Sequence, residues 1–184
     1  MYAIQHYNSD AYKQLLKYGI DVNIQNESGM TALMMAIDRI HGIPINLIYP
    51  LLDKSDPSIQ DNDGYTLLLY GLINGVDKDF IKKILAKDVN AVNIPTKKHV
   101  LHKELRPPYF TKGSTPLMVA AGRGMELAVC LLLRAGADPS IKNREGKTAL
   151  FYATNFVCDD DKQENIRDML VCGVEKFVKK YGIE

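Results

Sequence analysis

Apolar positions fall in short blocks along the chain, and the blocks recur with the same polar punctuation. The clearest block begins at Thr115-Pro116, after which Leu117, Ala120 and Ala121 share one face of a helix. Gly122 and Gly124 break that run, and Glu126 to Leu133 gives a second, strongly apolar helix. Gly136 ends it, because glycine adopts the left-handed conformation of a helix terminus at little cost. The same opening returns as Gly29-Met30-Thr31-Ala32-Leu33, Gly64-Tyr65-Thr66-Leu67-Leu68 and Gly146-Lys147-Thr148-Ala149-Leu150. Closing phrases follow at Leu15-Leu16-Lys17-Tyr18-Gly19, Leu51-Leu52-Asp53-Lys54-Ser55, Ile84-Leu85-Ala86-Lys87-Asp88 and Leu170-Val171-Cys172-Gly173. The threonines of the four openings are 35, 49 and 33 residues apart, so the first two intervals contain insertions.

Gly113-Ser114-Thr115-Pro116-Leu117, followed by Leu131-Leu132-Leu133 and Gly136-Ala137-Asp138, resembles an ankyrin repeat, a turn and two antiparallel helices in about 33 residues. The resemblance runs from about Asp10 to Tyr181. It implies an all-α solenoid of stacked helix-turn-helix units with turn or hairpin tips and one long inter-repeat insert. The units would be a partial cap at about 1–24, then 25–59, 60–93 followed by the insert 94–112, then 113–142, and a C-terminal cap unit at 143–184. Leu33, Leu68, Leu117, Ala120, Leu132, Leu133 and Leu150 are expected in the core.

The resemblance also implies a binding surface. In the family, first helices line a concave face and the turn tips project beside it, and partner proteins dock on both. The corresponding positions are Glu27, Ser28, Met30 and Arg39; Asn62, Asp63, Tyr65 and Asn74; Ser114 and Arg123; and Arg144, Glu145, Lys147 and Asn155. Tyrosine and arginine are interface anchors, which singles out Tyr65, Arg39, Arg123 and Arg144. The family's frequent histidine after Thr-Pro-Leu is replaced by Met34, Leu69, Met118 and Phe151, so apolar packing is expected in place of imidazole hydrogen bonds. Asn23 and Asn90, each in Asp-Val-Asn, match the turn asparagine that asparaginyl hydroxylases modify in the family.

Several units depart from the pattern. Aligning Gly19 and Asp21 on Gly136 and Asp138 sets Met1 opposite Met118, so the first unit is expected to be a short cap or the edge of a longer array. Its helix would be capped by Asn8 or Ser9 and run through Tyr12 to Gly19. The second unit has about three extra residues around Ile40 to Pro44, and Pro50 stands opposite Leu131, which predicts a late helix start or a kink. The second and third units also lack the terminal glycine.

The largest departure is the insert, about 17 residues longer than the family pattern, with five Lys/Arg against one Glu. One reading is a solvated excursion. The other is a basic and aromatic contact arm presenting Lys97, Lys98, Arg106, Tyr109 and Phe110, because Val100, Leu101, Leu105, Tyr109 and Phe110 are more apolar than a disordered loop requires.

Composition narrows the chemistry. In 184 residues that are 46% hydrophobic there is enough apolar material for a continuous core, and no apolar run reaches the roughly 18 residues of a membrane span. A net charge of +1 makes no case for nucleic acid or anionic lipid. The protein partner is what the resemblance implies, and the chain is expected to be a monomer. Three cysteines at unrelated positions (Cys130, Cys158 and Cys172) and a start at Met1 without leader features point to the cytoplasm, or a host cytoplasm or nucleus if the protein is viral or secreted. His99-x-x-His102 has metal-like spacing but no further ligand nearby, and Asp159-Asp160-Asp161 lacks the alternating ligands and glycine of a calcium loop. With no phosphate loop or nucleophile constellation, neither an enzyme nor a cofactor is expected. The expected function is partner binding through the concave face and tips, as a stand-alone adaptor or viral or bacterial effector. The alternative is a repeat segment of a larger protein that positions an effector or catalytic part.

Overall fold

A computed structural model describes residues 14, 17–38, 45–87, 89–100, 110–157 and 159–181. Four pairs of antiparallel helices follow one another within this part: α1 (Ala32–Asp38) with α2 (Ile45–Lys54), α3 (Leu67–Asn74) with α4 (Lys78–Lys87), α5 (Pro116–Gly122) with α6 (Glu126–Arg134), and α7 (Ala149–Phe156) with α8 (Asp160–Cys172). A short α9 (Glu175–Tyr181) packs back on α6. The repeated threonine starts each first helix. Thr31, Thr66, Thr115 and Thr148 accept the amide of the residue three positions on, at 3.3, 3.3, 3.4 and 3.4 Å, which satisfies one of the open donors of a helix start.

First helices stack as a layer, α1 on α3, α3 on α5 and α5 on α7, while α4, α6 and α8 form a second layer behind them. The core between the layers is apolar from end to end: Leu33, Leu68, Leu117, Ala120 and Leu132 are at most 2% exposed. Met34, Leu69 and Met118, at the family's histidine position, are buried as well, so dispersion and area burial replace polar bonding between units. Leu133 is only partly buried, and Leu150 is 37% exposed, contrary to the expectation for both. Leu150 is the equivalent of Leu33, Leu68 and Leu117, but α7 is the last first helix and no later one covers it.

The irregular closures have local explanations. Helix α2 begins at Ile45, the position aligned with Glu126 of α6, so Pro50 does not delay it. Pro50 is exposed, where water can satisfy a carbonyl deprived of its amide donor. Ser55 replaces the terminal glycine of that unit: its hydroxyl donates to Leu51 O at 2.7 Å and its amide to Leu52 O at 3.2 Å. The third unit closes through a 3-10 turn, Val89–Asn93, that buries Ala91 and Val92. Asn8, Ser9, Tyr12, Leu15, Leu16, residues 40–44 and Cys158 lie outside the described residues.

Candidate partner-binding surface

The tips between units are small hairpins built around one Asx side chain. Asn26 Oδ1 accepts the amides of Ser28 and Met30, Asp61 Oδ1 those of Asp63 and Tyr65, and Asn143 Oδ1 those of Glu145 and Lys147, all between 2.7 and 3.0 Å. Each side chain's other terminal atom reaches the residue nine positions on. Tyr70 Oη donates to Asp61 Oδ2 at 2.7 Å, and Asn143 Nδ2 donates to Tyr152 Oη at 2.9 Å. Burial, followed by the bond to Asp61, pushes the Tyr70 phenol above the ordinary tyrosine range.

Adjacent tips are tied into a ladder. Gln25 Nε2 donates to Gly29 O and to Gln60 O, and Gln60 Nε2 repeats the pattern to Gly64 O and Pro95 O. Asn62 N donates to Ser28 O, Lys97 N and Lys98 N to Asp63 O, and Arg144 N to Lys112 O. Gly64, at φ +85°, makes room for the next tip: a Cβ there would stand 2.2 Å from Lys97 N. Lys97 is therefore the structural equivalent of Asn62, and the ladder runs into the insert without a gap.

This register locates the extra residues. Thr96 N donates to Ser114 O and Gly113 N to Thr96 O, the bonds that Asp61 N makes to Tyr65 O and Gly64 N makes to Asp61 O. Thr96 thus occupies the Asx position, and residues 97–112 replace the two-residue tips 27–28, 62–63 and 144–145. The described base of the insert, called the finger below, is a hairpin tip whose two sides meet in an isolated antiparallel bridge at Val100 and Phe110, with Val100 N to Phe110 O at 2.7 Å. A threonine hydroxyl cannot do the work of an Asx carboxyl or amide. Thr96 Oγ1 and Thr111 Oγ1 are buried without a hydrogen-bond partner among the described residues, each a cost of about 1–3 kcal/mol.

The register also corrects the asparagine assignment. Asn23 Oδ1 accepts Asp56 N at 2.8 Å and Asn93 Oδ1 accepts Asp138 N at 2.9 Å, so the partner of Asn23 in the repeat is Asn93 and not Asn90.

Several expected contact residues are interior. Phe110 is fully buried, its ring 4.8 Å from that of Tyr152, because the bridge with Val100 turns it into the stack. Ser114 is fully buried, its hydroxyl donating to Thr111 O at 2.6 Å. Tyr65 is 6% exposed, packed edge-on against Tyr70. Met30 is half-buried against the core. Three others cap helix carbonyls: Asn74 Nδ2 on Tyr70 O, Asn155 Nδ2 on Phe151 O, and Arg123, whose guanidinium reaches across to Ile73 O at 2.9 Å. Partial burial there lowers the Arg123 pKa. Arg39, Arg106, Tyr109, Leu101, Leu105 and His102 lie outside the described residues.

The polar remainder gathers at the tips. Asn62, Lys97, Lys98, Arg144 and Glu145 are exposed, Asp63 and Lys147 half-buried. Two ion pairs lie along this edge, Lys98 to Asp63 at 2.5 Å and Lys147 to Glu145 at 2.6 Å. At the root of the finger, Asp63, Tyr65, Lys97, Lys98, His99 and Lys112 enclose a groove of about 320 Å3. His99 and Lys112 were not among the expected contacts. Only the tip register brings Lys112 beside Lys97, since 15 residues separate them in sequence. Among the described residues no group of three or more His, Cys, Asp or Glu could hold a metal ion, and no helix is long and apolar enough to cross a membrane.

Comparison with known proteins agrees with this architecture. A family model described as "Ankyrin repeats (3 copies)" matches residues 1–96, 40–143 and 91–180. Similar proteins include the nuclear factor NF-kappa-B p105 subunit of Gallus gallus, 26% identical in an alignment 179 residues long that covers 86% of this chain and 18% of that protein. Protein HOS4 of Saccharomyces cerevisiae is 40% identical over 69 residues, 38% of this chain and 6% of its own length. The DExH-box ATP-dependent RNA helicase DExH2 of Arabidopsis thaliana is 58% identical over 43 residues, 23% of this chain and 3% of its own. The chain thus spans less than a fifth of each of these relatives. With the family model matching over almost its whole length and the hairpin ladder repeating through it, the chain belongs to the ankyrin-repeat family.

Proposed function

We propose that the protein is a non-catalytic binding module that holds a partner protein at its tip edge, with the finger at 97–112 as the principal contact and the first-helix face beside it. Ankyrin repeats generally mediate protein–protein interaction. The observation that carries the reading is the way the finger is rooted. Its base is fixed by Thr96, Lys97, Lys98, Val100 and Gly113 through main-chain hydrogen bonds, so both ends of the insert are held by the ladder. Preorganised main chain lowers the ordering cost of binding. Arg144, Glu145, Lys147, Asn62 and Asp63 continue the same edge on either side.

The setting in which it acts is part of the reading. A cytoplasmic adaptor, of the compact and irregular kind that viruses and intracellular bacteria direct at host proteins, is supported by the degenerate central units and the abundance of Ile, Lys, Asn and Tyr. A second reading, a repeat segment that positions another part of a longer protein, is supported by the much greater length of the relatives.

The test replaces residues 101–109 by a short Asn-Gly-containing turn, keeping the Val100–Phe110 bridge and therefore the buried Phe110. Affinity capture from cell lysate is then compared with the intact chain. Loss of a specific partner by a variant with unchanged helical circular dichroism is expected. An unchanged set of captured proteins would return binding to the helix face and remove the finger from the proposal.

A further inference from the structure

Lysines outnumber carboxylates three to one around the groove at the finger root. Lys97, Lys98, His99 and Lys112 enclose it with a single carboxylate, Asp63, which is engaged by Lys98 at 2.5 Å. Neither Lys97 nor Lys112 has a carboxylate partner among the described residues. The Arg144 amide is bonded to Lys112 O, which sets the backbone of the next tip beside Lys112, and Glu145 on that tip is paired with Lys147. Toward the first unit the same edge is acidic and neutral, with Glu27, Ser28 and Asn62, so the positive charge is confined to one end of the ladder. A whole-chain charge of +1 leaves this concentration locally unbalanced without making the molecule generally basic.

We propose that this groove binds an acidic segment of the partner protein, with Lys97 and Lys112 contacting its carboxylates and Lys98 held in reserve by Asp63. The inference rests on the protein-binding reading above and names the chemistry of that partner. Charge complementarity selects a polyanion, and the shape of the site selects a peptide among polyanions. Single-stranded nucleic acid is held by exposed aromatic rings on which bases stack. Among the described residues the Tyr ring bordering this groove, Tyr65, is 6% exposed, Phe110 at the finger's base is fully buried, and the exposed imidazole of His99 is the smallest stacking surface there. A duplex needs a wide field of cations, which the net charge does not provide. A peptide chain needs only a short cleft with two or three cations at its rim, and the main-chain bonds of Lys97, Lys98 and Lys112 fix the points from which those side chains extend.

The experiment titrates the full chain with fluorescein-labelled decaglutamate and, separately, with a labelled ten-nucleotide single-stranded DNA, following anisotropy at low and physiological salt. The double variant Lys97→Glu/Lys112→Glu is compared with Arg134→Glu/Arg167→Glu, exposed positions on α6 and α8 outside the groove. The expected result is decaglutamate binding that weakens with salt, falls about tenfold or more in the first variant, and persists in the second. Circular dichroism establishes that both variants are folded. Absence of decaglutamate binding, equal loss in both variants, or tighter binding of the oligonucleotide would overturn the proposal. If decaglutamate fails to bind while partner capture still depends on residues 101–109, the acidic chemistry falls and the binding-module reading stands.

Discussion

At the level of single residues, the repeated glycines do different work although they share a conformation. Gly64 and Gly146 both have positive φ, +85° and +73°. A Cβ on Gly64 would meet Lys97 N at 2.2 Å, whereas one on Gly146 meets nothing within 4 Å. Gly146→Ala should therefore cost about 1 kcal/mol, the left-handed penalty alone, and Gly64→Ala at least about twice that, because the next tip must move. Urea unfolding of the two variants checks the difference, and equal losses would mean that the ladder yields without cost. The cysteines give a second contrast. Cys130 is fully buried and its burial holds the thiol above the usual range, while Cys172 is exposed. Native-state alkylation mapped by mass spectrometry should modify Cys172 promptly and Cys130 only on unfolding.

At the level of elements, the helix pairs were legible and the finger's register was not. Threonine openings, glycine closings and the 3.6 periodicity report local geometry, and each recurs in the structure as a cap, a left-handed turn or a buried face. Phe110 was read as part of a contact arm because aromatic residues in a long insert suggest binding. What decides its fate is pairing with Val100 and packing on Tyr152, neither of which is local in sequence. The signal that could have found it is the interval from Asn26 to Asp61 and from Asp61 to Thr96, 35 residues each time, which places the third hairpin at Thr96. Phe110→Ala should destabilise the protein by about 3–5 kcal/mol in chemical denaturation, as for a core aromatic. A loss below about 1 kcal/mol would show that the finger's base is not part of the core.

At the level of the whole molecule, a stack of units places the first helices in one layer and the tips along one edge, so polar residues of successive tips come together along that edge. Lys97, Lys112 and Arg144 are neighbours for that reason, although no local pattern relates them. The repeat alignment relates Asn74, Arg123 and Asn155 to the ends of first helices, but their side-chain bonds to helix carbonyls were not legible, since each depends on the rotamer chosen in the folded stack. Leu150 escaped for a similar reason: its burial depends on a following unit rather than on its own repeat.

In the proposed mode of binding the tip edge, and not the outer helices, receives the partner. Hydrogen exchange of the full chain with and without a captured partner distinguishes the two surfaces. Slowed exchange is expected at amides of 97–100, 110–114 and Arg144, with α4 and α6 unchanged. Protection confined to α4 and α6, with the tips exchanging as in the free chain, would contradict it.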